Sequence, residues 1–179
     1  MKFSTSKTEL QNVLQKLSKA VPTRSTLPIL GCVLFKASEE KTILRATDLE
    51  ITIIAEIPVS IEEPGSAAIP LKTLLDITNE LPETRITLIV DSDNKIELRT
   101  ETGVYDLMGK PANEFPSIPD TSDGKELSMN SQLFKSVIES TVFAVSRDDL
   151  KPALTGVLFR FNKNNLTAVS TDGIVPKNF

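Results

Sequence analysis

Residues 24–50 read RSTLPILGCVLFKASEEKTILRATDLE: a basic turn, an apolar run, a charged turn and a second apolar run ending in Thr47-Asp48. Pro28 has a fixed φ and no N–H, so strand pairing is expected to begin just after it, at about Ile29. From there Ile29, Leu30, Cys32, Val33, Leu34 and Phe35 are nearly continuous, the pattern of a strand buried on both faces, with Gly31 marking a close backbone approach. Ahead of this stretch, Ser6-Lys7-Thr8-Glu9 matches a capping box that opens a helix running to about Ala20. Its apolar stripe is Leu10, Val13, Leu14 and Leu17; the opposite face, Thr8, Asn12, Gln15 and Lys19, has no carboxylate.

Downstream, strands are predicted over 42–47, 50–60 and 66–69, with a turn at Glu62-Glu63-Pro64-Gly65. Pro70 then sits at a helix start, Leu71, Leu74, Leu75, Thr78 and Leu81 keep helical spacing, and Pro82 stops them. Three hairpin-like runs follow at 85–90, 95–100 and 104–108. This strand-rich unit with two helices predicts an α+β layer arrangement. Residues 109–126 concentrate Pro111, Pro116, Pro119 and Gly124 and read as a linker. Asn130 then caps a third helix whose inner face is Leu133, Phe134, Val137, Ile138, Thr141 and Val145, and strands at 155–161 and 166–170 follow a charged loop.

The opening pattern returns. Val157-Leu158-Phe159 repeats Val33-Leu34-Phe35, Thr171-Asp172 repeats Thr47-Asp48, and Phe134, Val137, Ile138 and Thr141 repeat the first helix stripe, all at an offset of 124 (157 − 33). Spacing of that size implies a duplicated domain; a solenoid repeats every 20–50 residues or so. The expected division is a first domain over 1–120 and part of a second over 121–179.

Composition narrows the function. The net charge of −4 argues against binding nucleic acid through overall positive charge, and leaves room for a local basic lining. The single cysteine, Cys32, cannot form an internal disulfide and reads as a buried inert thiol, which fits a reducing cytoplasm. No apolar run approaches the roughly 18 residues of a membrane span, and neither signal peptide nor anchor is expected. There is no histidine, which removes histidine triads, histidine bases and nearly every zinc site with such ligands.

Asp91, Asp93 and Lys95 fall on calcium-loop positions, but Ile96 and Thr102 stand where glycine and an acidic residue are needed, so a hairpin turn is expected. Asp48 and Asp172 each end a strand of their own repeat, where turn formation is a simpler account than a catalytic carboxylate pair. No enzyme activity and no cofactor or metal are expected.

Arg24-Ser25-Thr26-Leu27-Pro28-Ile29-Leu30-Gly31 with Ala46-Thr47-Asp48-Leu49-Glu50 resembles the bacterial sliding clamp family, the beta subunit of DNA polymerase III. The likeness continues through Glu63-Pro64-Gly65, Glu114-Phe115-Pro116 and Ala168 to Gly173, and so covers residues 1–173. It implies the DNA clamp fold, one complete domain of two helices on antiparallel sheet plus the start of a second copy. It also implies a replication processivity factor: a homodimeric ring around double-stranded DNA, bound without regard to sequence, that tethers polymerase and clamp-loader subunits through short linear motifs. By the same resemblance Arg24, Arg147 and Lys151 would touch phosphates, Leu154, Thr171 and Gly173 would form part of a partner-peptide pocket, and Ile77, Tyr105 and Leu107 would meet a partner chain.

Position 174 departs from the family pattern. Ile174-Val175-Pro176-Lys177-Asn178-Phe179 resembles a segment found later in the family's second domain, so an intervening piece is expected to be missing and the pocket incomplete. The alternative functional class is a free-standing α+β module that binds a peptide or protein without encircling DNA; a hydrolase using Asp48 and Asp172 is a third.

Overall fold

The computed structural model describes residues 1–39, 41–117, 127–148, 150–162 and 165–173. The expected junction at 173–174 and the second half of the expected linker, 118–126, therefore lie outside the described residues. The chain folds as two units, Met1–Asp120 and Thr121–Phe179.

The first unit begins with β1 (Lys2–Ser6) and α1 (Lys7–Leu17). The helix starts at Ser6 because a capping box forms: Ser6 Oγ accepts from Glu9 N–H at 3.2 Å and donates to Glu9 Oε2 at 3.1 Å. Leu10, Val13, Leu14 and Leu17 are buried along its inner face. Then come β2 (Cys32–Ala37), β3 (Thr42–Thr47), β4 (Thr52–Ile57), β5 (Ser60–Glu63), β6 (Gly65–Pro70), α2 (Leu71–Glu80), β7 (Arg85–Val90), β8 (Lys95–Arg99) and β9 (Val104–Met108).

Two antiparallel sheets result, ordered β5-β1-β7-β8-β9 and β4-β3-β2-β6. The connectivity is a strand exchange between halves. The strand that precedes α1 pairs with β7 of the later meander, and the strand that precedes α2 pairs with β2 of the earlier one. Each helix-bearing half thus completes the other's sheet. Leu10, Leu14, Val33, Phe35, Leu44, Leu74, Ile86, Leu88, Ile96 and Leu98 share one core, with Phe3 and Phe35 stacked 6.0 Å apart.

Three local expectations change. Pro28–Gly31 is a 3-10 turn with Pro28 at its start, and the strand begins at Cys32; a Cβ on Gly31 would meet nothing within 4 Å, so no close approach explains that glycine. Residues 50–60 are not one strand. Pro58 cannot donate to a ladder, its carbonyl accepts from Thr5 Oγ1 at 2.9 Å, and the chain crosses there to the other sheet, where β5 occupies part of the expected turn at 62–65. The linker expectation also fails at its start: Lys110 bridges Ala68 on β6, and Phe115 is buried against Cys32 and Ala68.

The second unit contains α3 (Ser131–Glu139), β10 (Leu158–Phe161) and β11 (Leu166–Val169), the strands paired as a hairpin. Asn130 Oδ1 caps α3, accepting from Gln132 and Leu133 N–H at 2.9 and 3.1 Å. Phe134 lies 5.5 Å from Phe159 and anchors the helix on the hairpin. Leu133 is 61% exposed and does not belong to the inner face, because it falls one residue ahead of the i, i+3, i+4, i+7 stripe that starts at Phe134. No described residue of this unit is buried.

The 124-residue offset holds in three dimensions. Helix caps stand at Ser6 and Asn130, 3-10 turns at Ser18–Ala20 and Val142–Ala144, and proline-led 3-10 turns at Pro28–Gly31 and Pro152–Leu154. Leu49 and Gly173 share it too, with φ of 82° and 79°.

Candidate functional site

Four groups of predicted residues can be followed into the structure. The first is cationic. Arg24 is exposed on the loop after α1, and on the outward helix face Asn12, Gln15, Lys16 and Lys19 border a shallow concavity of about 510 Å³. Among the described residues no carboxylate lines it. Lys16 was missed by the sequence reading, although it stands at i+4 from Asn12 and shares its face. In the second unit Arg147 and Lys151 are both exposed on the loop before β10; Lys151 N–H donates to Asp148 C=O at 3.0 Å and its own carbonyl accepts from Leu154 N–H at 2.9 Å.

The second group converges. Leu154 and Thr171 line one concavity of about 190 Å³ together with Ala153, Gly156, Leu158, Val169 and Ser170. Gly173 joins them: its N–H donates to Thr171 Oγ1 at 3.0 Å, and a Cβ built on it would lie 3.1 Å from Leu154 Cδ1. The pair Leu158 and Val169, directly opposite in the hairpin and half exposed on its outer face, was not foreseen. The signal for it was present in the alternation of both strands.

The third group marks an edge. Among the described residues strand β9 pairs only with β8, which makes it an edge strand of its sheet. Tyr105 and Leu107 stand opposite Leu98 and Ile96, on the core side, and with Ile77 of α2 they are half-buried at the core's rim. Val104 and Met108 project from the other face, 58% and 65% exposed.

The fourth group is the carboxylates. Asp48 accepts from Ile51 N–H at 2.7 Å and Glu50 N–H at 2.9 Å, which closes the β3–β4 turn and holds its pKa below the usual carboxylate value. Asp91 similarly accepts from Asp93 and Lys95 N–H, both at 2.9 Å, in the β7–β8 hairpin. Both carboxylates therefore act as turn formers. Among the described residues no cluster of three His, Cys, Asp or Glu is arranged to hold a metal ion. Cys32 is buried, and that burial raises its thiol pKa while Lys110 pulls the other way.

A model of the N-terminal domain of the DNA polymerase III beta subunit matches residues 1–119. The chain belongs to the DNA polymerase III beta subunit family. A model of the central domain of the same beta subunit matches residues 128–174. The beta sliding clamp of Vibrio cholerae is 32% identical over 174 residues, covering 97% of this chain and 48% of that protein.

Solved beta subunits agree in fold. One from Eubacterium rectale is 34% identical with a TM-score of 0.89, and one from Bartonella birtlesii, bound to griselimycin, is 27% identical with a TM-score of 0.90. Each is covered to 47% of its length by 97% of this chain. The chain thus spans about half the length of the beta-subunit relatives it matches. Its fold is the α+β clamp fold, with one complete clamp domain and the start of a second copy.

Within the beta-subunit fold, the repeat explains why the small concavity occurs where it does. The first-unit counterparts of Leu154, Thr171 and Gly173 are Leu30, Thr47 and Leu49 at the 124-residue offset. Thr47 Oγ1 accepts from Leu49 N–H at 3.0 Å, as Thr171 does from Gly173, so the turn is the same. Only the side chain differs, isobutyl at 49 and none at 173.

Proposed function

We propose that this chain forms part of a sliding clamp, a DNA replication processivity factor whose ring encircles duplex DNA and keeps the replicative polymerase at the primer end. One observation carries the reading: N-terminal-domain and central-domain matches follow each other in order along one chain, over 1–119 and 128–174. The domains are read as 1–120, complete, and 121–179, a partial second copy; the rest of the ring belongs to the half of the relatives' length that this chain does not span.

Retention in this mechanism is topological. A closed ring cannot dissociate sideways, so contacts with DNA need only be weak and blind to sequence. Arg24, with Lys16 and Lys19 on the outward face of α1 and the turn after it, suits that role in the first domain, and Arg147 with Lys151 suits it in the second, because exposed cations slide along phosphates without reading bases. The Leu154, Thr171 and Gly173 concavity is read as part of the seat for short linear motifs of polymerase and clamp-loader subunits. At about 190 Å³ it is smaller than a typical ligand pocket of some 300–1,000 Å³, as part of a site would be. The edge at β9, with Ile77, Tyr105 and Leu107, is read as the contact with the partner chain of a homodimer. The chain is an accessory subunit with no catalytic role and works in the cytoplasm.

Primer extension on a circular single-stranded template tests the proposal, using the protein isolated from the cells that make it together with its own polymerase and loader. Much longer products in its presence support the clamp. Unchanged product length, with polymerase still bound to the protein, would favour a plain interaction module.

A further inference from the structure

The outer face of the β4-β3-β2-β6 sheet, turned away from α1, holds a second recessed site. At one end Phe115 covers Cys32 and Ala68. Beyond it Leu34, Lys36, Ser38, Ile43 and Arg45 line a concavity of about 400 Å³, within the range of ligand sites. The β2–β3 register sets Leu34 opposite Arg45 and Lys36 opposite Ile43, so two cations occupy one diagonal and two aliphatic side chains the other. Among the described residues no carboxylate lines the concavity. Glu56, on the neighbouring strand, is paired with Lys41 at 2.8 Å, and neither Lys36 nor Arg45 has an ion-pair partner among the described residues. Arg45 Nε is buried and lacks a hydrogen-bond acceptor.

A buried, unpaired N–H on a permanently charged group is costly, and a guanidinium edge fits a carboxylate with two parallel hydrogen bonds. The aliphatic diagonal adds a requirement for apolar surface beside that carboxylate. We infer that this concavity binds an acidic peptide segment of a partner protein, taking an Asp or Glu side chain on Arg45 and Lys36 and an adjacent apolar side chain against Leu34 and Ile43. Duplex DNA is the poorer fit. Its phosphates are met by exposed cations along a surface, whereas Arg45 is only partly exposed and shares its recess with Leu34 and Ile43.

The test is a ¹H–¹⁵N NMR titration of the full chain with the peptide acetyl-Gly-Leu-Glu-Leu-Gly-amide. Saturable shifts are expected at Leu34, Lys36, Ile43 and Arg45, including the Arg45 Nε–H signal. The Gln-for-Glu peptide should bind at least about tenfold more weakly through loss of the charge-assisted pair. Arg45→Gln should abolish the shifts, and Lys36→Glu, at an exposed position that leaves the fold intact, should weaken them at least about tenfold as well. Four results would overturn the inference: no saturation, equal binding of the Gln peptide, binding unchanged in Lys36→Glu, or displacement of the peptide by inorganic phosphate or duplex DNA at equal concentration.

Discussion

Asp48 commits its carboxylate to two backbone N–H groups, Ile51 first and Glu50 second, and both favour the ionised form. A group whose folded pKa is depressed contributes stability above its unfolded pKa of about 3.9 and loses it as pH falls through the folded value. Asp48→Asn keeps an acceptor but removes the charge, so its stability deficit against the native chain should shrink in urea melts as pH falls below the unfolded carboxylate pKa of about 3.9; a constant deficit would contradict the assignment. Position 173 offers a second residue-level test. Leu49 already holds a φ of 82° in the equivalent turn, so Gly173→Leu is expected to fold, at a cost of about 1–2 kcal/mol for the left-handed backbone. Its side chain would enter the Leu154 concavity, and binding of a partner-derived motif peptide, followed calorimetrically, should weaken at least about tenfold, or ~1.4 kcal/mol. Unchanged affinity would show that this concavity is not the peptide seat. Thr171 and Gly173 were legible through a motif, the first inside a repeated phrase and the second directly after it, whereas Lys36 and Arg45 stand in strand stretches that carried no motif: one follows the run at 29–35 and the other lies within 42–47.

At the scale of elements, helices were read more accurately than strands. Capping boxes and helical stripes are local, so Ser6 and Asn130 could be placed without knowing any partner. Strand limits depend on which sheet receives the chain: Pro58 is a local reason for β4 to end, but nothing local says that β5 begins in the other sheet. Glycines behave likewise. Gly31 looked constrained and is free, while Gly109, read as linker, is packed: a Cβ there would meet Ile96 Cδ1 at 2.8 Å, Ala68 O at 3.0 Å and Asn94 O at 3.1 Å. Its N–H donates to Asn94 O at 2.9 Å, and Lys110 N–H donates to Ala68 O at 2.8 Å, so this segment ties β6 to the β7–β8 hairpin. Gly109→Ala should cost about 1–3 kcal/mol by overpacking, seen as a lower denaturant midpoint, while Gly31→Ala leaves the midpoint unchanged or raises it slightly. The opposite order would refute this picture of the segment.

For the whole molecule, the 124-residue repeat was legible because duplicated sequence keeps duplicated caps and turns, whereas the strand exchange between the halves of the first unit was not, since it joins β1 to β7 and β6 to β2 across long stretches of chain. That exchange also accounts for the contrast between the units. In the first, α1 packs under a second half and Leu10, Leu14 and Phe35 reach 0% exposure; in the second, their counterparts Phe134, Ile138 and Phe159 stay partly exposed. The central claim is that retention on DNA is topological, and the most direct measurement is of the protein isolated from its own cells, loaded onto a nicked circular duplex, washed in high salt, and followed before and after a single cut by a restriction enzyme. The account predicts that it stays on the circle through the wash, because the link does not depend on screened charges, and is lost when the circle becomes linear. Loss from the circle in salt, or equal retention on circle and linear duplex, would contradict it.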